Sequence, residues 1–282
     1  MPLTFGEIKR RVRARTANRI DEVRAEIIVG DKLAELWNRE PWSFRQDSAI
    51  LATVAPKTAG TVTLNATPTL IDGTGTAFAA TDIGRRIRVG TSNTTYEVTA
   101  VSGQQLTIET AYVGTAFTAS TYNLFQNIYA LATDFQEMIS ASYWWRLAEG
   151  TVAGIDRYDA RRSFQSSQPA SFIYRGENSS GVMLVEISPV PSAAIGIAYV
   201  YRRRPPTWTD TTRVPIQEDV VIYLSASDAL YMLAVEHLDQ ATGLIAVADK
   251  YQALGQNALA EFSWADTKIR GIQKAVRDTE GD

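Results

Sequence analysis

The sequence predicts an α+β fold: a helical body, made of N- and C-terminal helices, carries an inserted small antiparallel β barrel or sandwich and a second β hairpin segment. Apolar residues recur at helical spacing near both ends of the chain. Between them lies a threonine-rich stretch with regularly spaced glycines, followed by a shorter β-rich segment. The expected domains are residues 1–48, 49–130 and 131–282, the last with its β segment at 171–202.

The N-terminal region from Thr4 to Trp37 has the pattern of amphipathic helices. Thr4, with Glu7 three residues later, predicts a capping box at the first helix. Asn18 and Gly30 are candidate breaks that divide the region into two or three helices. The helices should end before Pro41, because a residue that precedes proline disfavours the helical conformation. The expected apolar stripe consists of Ile20, Val23, Ile27, Leu33 and Leu36-Trp37.

The stretch from Ala49 to Ala130 has the composition of a β domain, with 18 threonines and eight charged residues. Short β-branched runs are separated by glycine-containing turns about ten residues apart, which is typical of a small antiparallel barrel or sandwich. Apolar and polar residues alternate in several runs, so one face of the sheet should be buried. The expected strands are Ile50–Val54, Gly60–Leu64, Thr69–Ile71, Arg86–Val89, Thr95–Val101, Leu106–Glu109 and Thr121–Tyr129.

The remaining chain returns to a helical pattern with one β segment. We predict a helix over Asp134–Leu147, and a long helical region that opens at Pro215 and continues to about Val276. Gly243 and Gly255 are candidate interruptions of that region. The predicted strands of the β segment are Phe172–Tyr174, Val182–Ile187 and Ile195–Tyr201.

The composition excludes several classes of site. The 282 residues include no cysteine and one histidine, His237, which excludes disulfide scaffolds, thiolate zinc sites and cysteine nucleophiles. The net charge of −3 gives the whole chain no bulk attraction for polyanions. No run of about 18 apolar residues and no signal-peptide pattern is present, so we expect a soluble protein made in a cytoplasm.

No arrangement of residues indicates catalysis. Gly73–Thr76 resembles part of a phosphate-binding loop, but no Gly-Lys-Ser/Thr follows, so a hairpin turn is the better interpretation. Asp156 and Asp159 could serve a glycosidase, although a chain with 31 acidic residues contains many such pairs. We therefore expect no enzymatic activity, no cofactor and no metal site.

Charge is divided between the ends of the chain. Residues 1–24 carry seven basic and three acidic groups, and residues 217–282 carry five basic and eleven acidic groups. Such ends can meet partners of opposite sign or simply form solvated helix faces. Lys274–Asp282 should be disordered until a partner orders them. The candidate partner or subunit contacts are Arg10, Arg11, Arg13, Arg15, Arg202, Arg203, Arg204, Ile272, Lys274, Val276 and Arg277.

A series of motifs occurs in a fixed order over nearly the whole length of the chain. The N-terminal and central motifs are Trp37–Phe44, Ala59–Thr63, Gly73–Phe78, Asp82–Val89, Tyr96–Val98, Leu106–Gly114 and Tyr129–Phe135. The later ones are Gln168–Phe172, Ile187–Pro191, Tyr199–Pro206 and Val214–Asp219. In this order the motifs resemble the head-to-tail adaptor, or connector, proteins of tailed bacteriophages, in particular the tail tubular protein A type of short-tailed phages.

The resemblance implies a structural ring protein of the virion neck, assembled in the bacterial cytoplasm. About twelve copies would sit beneath the portal, link capsid to tail and line the channel through which DNA is retained and ejected. The implied partners are other copies of the chain, the portal protein, a downstream tail or nozzle protein and double-stranded DNA in transit, without a membrane.

Two other classes remain open. A carbohydrate-binding or fibre-type β module could use Trp144-Trp145 as a platform on which sugars stack. A hydrolase is the third class. The long helical ends argue against a simple lectin module.

Overall fold

The computed structural model describes residues 2–92, 94–143, 145–160, 162 and 164–279. The described residues form five α-helices and sixteen strands, so the predicted α+β class is confirmed. The helices are α1 (Phe5–Arg15), α2 (Glu22–Arg39), α3 (Val152–Asp159), α4 (Glu218–Glu236) and α5 (Ala241–Thr279). The strands are β1 (Gln46–Ala52), β2 (Thr61–Leu64), β3 (Leu70–Thr74), β4 (Arg86–Val89), β5 (Tyr96–Ser102), β6 (Gln105–Ile108), β7 (Tyr122–Phe125), β8 (Ile128–Ala130), β9 (Phe135–Tyr143), β10 (Trp145–Arg146), β11 (Ala148–Glu149), β12 (Gln165–Ser166), β13 (Ser171–Glu177), β14 (Met183–Ser188), β15 (Val190–Pro191) and β16 (Gly196–Arg203).

The chain divides into two compact units. The helical unit comprises Met1–Gln46 and Arg203–Asp282 and contains α1, α2, α4 and α5. The β unit comprises Asp47–Arg202 and contains almost all of the strands and α3.

The start of the helical unit follows its local sequence signals. Thr4 Oγ1 accepts a hydrogen bond from the Glu7 amide, and the Glu7 carboxylate accepts one from the Thr4 amide, so the predicted capping box is confirmed. Asn18 has a positive φ of 57° in the turn that ends α1. Gly30 does not break the chain, because α2 continues through it and buries Val29 and Leu33 on either side.

α4 is the central helix of this unit and packs against α1, α2 and α5. It begins at Glu218, three residues after Pro215, and the break before α5 falls at Leu238–Gln240. The predicted interruptions at Gly243 and Gly255 are wrong, because α5 passes through both residues. Gly255 instead allows the two helices to approach closely beside Leu224 of α4.

The end of α5 also differs from expectation. The helix continues through Thr279, whereas disorder was expected from Lys274 onward. The sequence of α5 contains no proline that would end the helix. Residues 280–282 lie outside the described part of the chain.

A six-stranded antiparallel sheet has the order β2-β3-β6-β5-β4-β7. Isolated bridges join Val62 to Ser120 and Lys57 to Leu124, so the sheet curls until its two edges nearly meet. The expected alternation is confirmed, because the buried side chains project to one side and form a separate core. Its fully buried members are Val62, Ile71, Ile87, Val98, Leu106 and Leu124.

Two four-stranded sheets and a short strand pair complete the β unit. Their orders are β1-β16-β9-β10 and β11-β13-β14-β8, with β12 paired to β15. They enclose a second core, in which Phe135, Tyr199 and Tyr201 form an aromatic group. β13 and β14 lie within the β segment predicted at residues 171–202, and β16 ends one residue beyond it.

The helix predicted over Asp134–Leu147 is wrong, because Phe135–Tyr143 forms β9. Phe135 is fully buried in the aromatic group, and the Asp134 carboxylate accepts a hydrogen bond of 2.8 Å from the Tyr201 hydroxyl. Sheet pairing and burial of a strand-favouring aromatic residue outweigh the local helix-start signal.

Candidate functional site

Arg10 and Arg11 lie on the exposed side of α1. Arg11 Nη1 is 3.5 Å from the Glu218 carboxylate at the start of α4. Arg10 Nε donates to the Gly6 carbonyl oxygen, one turn earlier in its own helix, at 3.4 Å. Arg10 forms no ion pair within the described part of the chain.

Arg13 and Arg15 hold the helical unit together from within. Arg13 Nε donates to the Ile20 carbonyl oxygen at 3.3 Å and closes the turn after α1. The Arg15 guanidinium lies over the rings of Tyr223 and Tyr251, with its central carbon 5.0 and 5.8 Å from the two centroids. Hydrogen bonding to Tyr251 raises the pKa of Arg15. These two arginines therefore bind within the chain.

The basic triplet after the second β segment is also engaged. Arg202 forms an ion pair with Glu137 inside the β unit. Arg203 donates to the Phe44 carbonyl oxygen inside the helical unit. Arg204 follows β16 and is half-buried. The triplet thus does not form a continuous exposed basic patch.

The C-terminal candidates Ile272, Lys274, Val276 and Arg277 lie on the last turns of α5. Their side chains are outside the described part of the chain. The last described contact of the helix is the ion pair of Arg270 with Asp266, in which Nε and Oδ2 are 2.9 Å apart.

A buried lysine, which the sequence analysis did not single out, connects α1 to its surroundings. Lys9 is 4% exposed, and its ammonium lies 2.6 Å from Asp210 and 3.0 Å from Glu26. Burial opposes the charged form, but the hydrogen bonds to Asp210 and Glu26 outweigh it and raise the pKa of Lys9. The ammonium ties α1 to α2 and to the loop before α4.

A buried carboxylate plays a similar part in the β unit. Glu186 of β14 is fully buried and forms ion pairs with Arg162 and Arg175. Asn127 donates a further hydrogen bond of 2.8 Å to the same carboxylate. Arg162 also lies 2.8 Å from Asp156 of α3. Burial opposes the charge of Arg162, whereas its bonds to Glu186 and Asp156 raise its pKa.

The residues considered for catalysis have structural partners. Asp156 pairs with Arg162, and the Asp159 carboxylate accepts a hydrogen bond from the Phe164 amide at 2.9 Å. His237 ends α4, with its amide bound to a carbonyl oxygen of that helix. Among the described residues, no group of three or more acidic, histidine or cysteine side chains could hold a metal ion. Over the same residues, no helix is long and apolar enough to cross a membrane.

An open groove of about 410 Å³ lies in the β unit between α3 and the start of β13. Its aromatic walls are Tyr158 and Phe164, which are 87% and 60% exposed. Thr151, Ser171 and Asp159 supply polar atoms. The side chains of Trp144 and Trp145, the platform considered in the sequence, lie outside the described part of the chain.

The apolar stripe predicted for the N-terminal helices is partly wrong. Ile20, Leu33 and the Leu36-Trp37 pair are buried, but Val23 and Ile27 of α2 are 68% and 57% exposed. Six residues of helix separate Ile27 from Leu33, which places them about 120° apart around the axis. Attention to the helical period would have revealed this second apolar face.

The fold and these surfaces define a protein of two compact units. The charged clusters described above form ion pairs and hydrogen bonds within those units. The model of the SU10 adaptor protein family matches residues 3–275, and the chain belongs to that family. It is therefore a phage adaptor protein and a virion component, as the resemblance implied at this coarser level. No curated protein matches the chain.

Proposed function

We infer that the protein is a head-to-tail adaptor of the tail tubular protein A type, without enzymatic activity, in the virion neck. About twelve copies form a ring beneath the portal, link the capsid to a downstream tail or nozzle protein and line the channel for DNA retention and ejection. The observation that supports this role is the adaptor family match over residues 3–275.

In this proposal the end of α5 attaches the ring to the portal. Each copy contributes a weak contact, and once one has docked the others act at high effective concentration. The candidate contacts are Ile272, Lys274, Val276 and Arg277. Arg10 and Arg11 on α1 form the competing attachment surface, because both are exposed and basic side chains there can meet an acidic portal rim or DNA.

Negative-stain imaging of the chain, alone and with portal rings, tests the role directly. A chain that ends at Arg270 keeps the Asp266 ion pair, so we expect it to fold but to lose portal binding. The matched variant Arg10→Gln should keep binding. Unchanged affinity of the truncated chain, with binding that weakens steeply as salt increases, would move the attachment to α1.

The aromatic groove beside α3 supports one second candidate, a carbohydrate-binding module in a phage tail. Exposed aromatic rings next to polar groups suit stacking against sugars. Retention of the chain on immobilised host glycans, lost in Tyr158→Ala and kept in Val113→Ala, would favour this function. Absence of retention would remove it.

A further inference from the structure

The helix α2 has two apolar faces. One face is buried against the rest of the helical unit through Ala25, Val29, Leu33 and Leu36. The other follows the spacing 23, 27, 30 and 34, which places Val23, Ile27, Gly30 and Ala34 in one line along the helix. Val23 and Ile27 are more than half exposed, and an open hollow of about 610 Å³ continues the line past Ala34. We call this line the outer face of α2.

Gly30 has no role inside the chain that requires glycine. A Cβ atom added there would meet no other atom within 4 Å, and the backbone is helical. Glycine inside a helix costs about 1 kcal/mol relative to alanine. A missing side chain permits close approach of another backbone, and no atom of the described chain occupies that space.

A second, partly exposed apolar line runs along α5, where Val247 and Leu254 flank Tyr251, which stacks on Tyr223. Val247 and Leu254 are seven residues apart on the same face and are 43% and 40% exposed. We call this line the outer face of α5. Val247 and Leu254 lie on average about 100° around the helix axis from the buried Leu244, Ala248 and Leu259, so the outer face of α5 flanks its buried face.

The two outer faces belong to different helices, each of which contacts α4 through its own side chains. Lys32 of α2 pairs with Asp228 of α4, whereas Ser227 and Tyr231 of α4 bind α5. A twofold dimer would use one patch on both copies, but a closed ring needs two different patches that fit each other. Two separate apolar faces in one chain meet this requirement.

Charge supports the match between the faces. Asp31 borders the outer face of α2 and Lys250 borders that of α5, and neither has an ionic partner among the described residues. Ile27 and Ala34 are seven residues apart, about 10 Å along the helix, and so are Val247 and Leu254. The helices can therefore pack antiparallel with Ile27 against Leu254 and Ala34 against Val247. This arrangement places Asp31 opposite Lys250.

We propose that the outer face of α2 binds the outer face of α5 of a neighbouring copy and that this contact closes the ring. The proposal rests on the proposed function for the existence of a ring and adds the surfaces that build it.

Cross-linking tests the pairing, because the chain has no cysteine of its own. Two single-cysteine variants, Ala34→Cys and Val247→Cys, are mixed under assembly conditions and treated with a short bismaleimide. We expect a cross-link in the mixture and none in either variant alone. Val113→Cys, at an exposed residue of the β unit, replaces Val247→Cys in the control mixture. A cross-link in Ala34→Cys alone would show a twofold contact and overturn the proposal.

Substitutions on the outer face of α2 test whether this face contributes to the free energy of association. Ile27→Lys and Gly30→Leu should raise the protein concentration of half-association, measured by sedimentation, by at least about tenfold. Val113→Lys should not change this concentration. Circular dichroism should show intact helices, and Gly30→Leu should melt no lower than the wild-type chain. Wild-type rings that survive Ile27→Lys unchanged would overturn the proposal and leave the ring function standing. A wild-type chain that forms no oligomer, alone or on portal rings, would overturn both.

Discussion

Gly255 of α5 lies directly against Leu224 of α4. A Cβ atom added to Gly255 would be 2.6 Å from Leu224 Cδ2 and 2.7 Å from its Cγ. Leu224 is 2% exposed and surrounded by the core of the helical unit, so it has no free space into which to move. The missing side chain therefore sets the distance between the two helices.

Alanine at this position should destabilise the chain. Gly255→Ala gains about 1 kcal/mol of helix propensity but forces overpacking that costs more, so we expect a net loss of about 1 kcal/mol in the free energy of unfolding. Gly30→Ala is the matched control, since the added methyl group meets open space and should stabilise the monomer by up to about 1 kcal/mol. Urea denaturation at low protein concentration measures both, and equal stabilisation by the two variants would contradict this packing argument.

Removal of the Lys9 ammonium should weaken the helical unit in a pH-dependent way. Lys9→Met keeps the length of the side chain but leaves Asp210 and Glu26 without their shared cation, so the free energy of unfolding should fall by about 1 kcal/mol at pH 7. The folded-state pKa of Lys9 is raised, so its contribution is fully present below the unfolded pKa of about 10.4 and is lost as pH rises through the folded pKa.

Denaturation at several pH values between 7 and 11.5 tests this dependence. The difference between the wild-type chain and Lys9→Met should stay constant to about pH 10 and shrink above it. At a protein concentration low enough to keep the chain monomeric, Lys250→Met removes an exposed lysine and should show neither effect. A difference that grows at alkaline pH would have the wrong sign for this account.

The Glu186 cluster should be the most sensitive ionic site of the β unit. Glu186→Gln leaves Arg162 buried and Arg175 half-buried without the charge that both pair with, and we expect a loss of about 3–5 kcal/mol. Glu137→Gln breaks the more exposed pair with Arg202 and should cost less than about 1 kcal/mol.

Thermal and urea denaturation compare the two variants. If Glu186→Gln does not fold, Arg175→Gln provides a milder change at the same cluster. A loss for Arg175→Gln no larger than that for Glu137→Gln would contradict the importance of burial here.

Local signals in the sequence predicted the elements that depend on neighbouring residues. The capping box of Thr4 and Glu7, the turn at Asn18 and the alternating strands around Ile87 follow from spacing alone. β9 could not be predicted in this way, because Phe135 becomes a strand residue through burial against β16, which lies far away in sequence.

The same limit applies to the candidate surfaces. The arginines from Arg10 to Arg15 look equivalent in sequence, yet Arg15 stacks on Tyr223 and Arg10 stays at the surface. Partners more than 200 residues away decide this difference. By contrast, the outer face of α2 follows from helical periodicity, because Val23 and Ile27 lie on average about 130° around the helix axis from Leu33 and Leu36.

The six-stranded sheet covers only part of the inserted β domain predicted from the sequence. The sequence placed it at residues 49–130, but β8 pairs with β14 and β1 with β16, outside the six-stranded sheet. The main chains of Lys57 and Leu124 exchange two hydrogen bonds, of 2.9 and 3.0 Å, at the base of that sheet. We therefore propose that the insertion is narrower and begins and ends at this pair.

Two deletions distinguish these boundaries. Removing residues 58–123 and joining Lys57 to Leu124 through Asn-Gly closes an existing antiparallel pair with a favoured turn, so the remaining chain should fold and unfold cooperatively. Removing residues 49–130 also takes away β8 and much of β1, which leaves edges of β14 and β16 unpaired, and this chain should aggregate or unfold at much lower temperature. Circular dichroism and calorimetry measure both.

If the insertion faces a tail component, the first variant should still bind portal rings but fail to attach the tail. Equal loss of structure in the two variants would show instead that the six-stranded sheet is part of a single folding unit with the rest of the β strands.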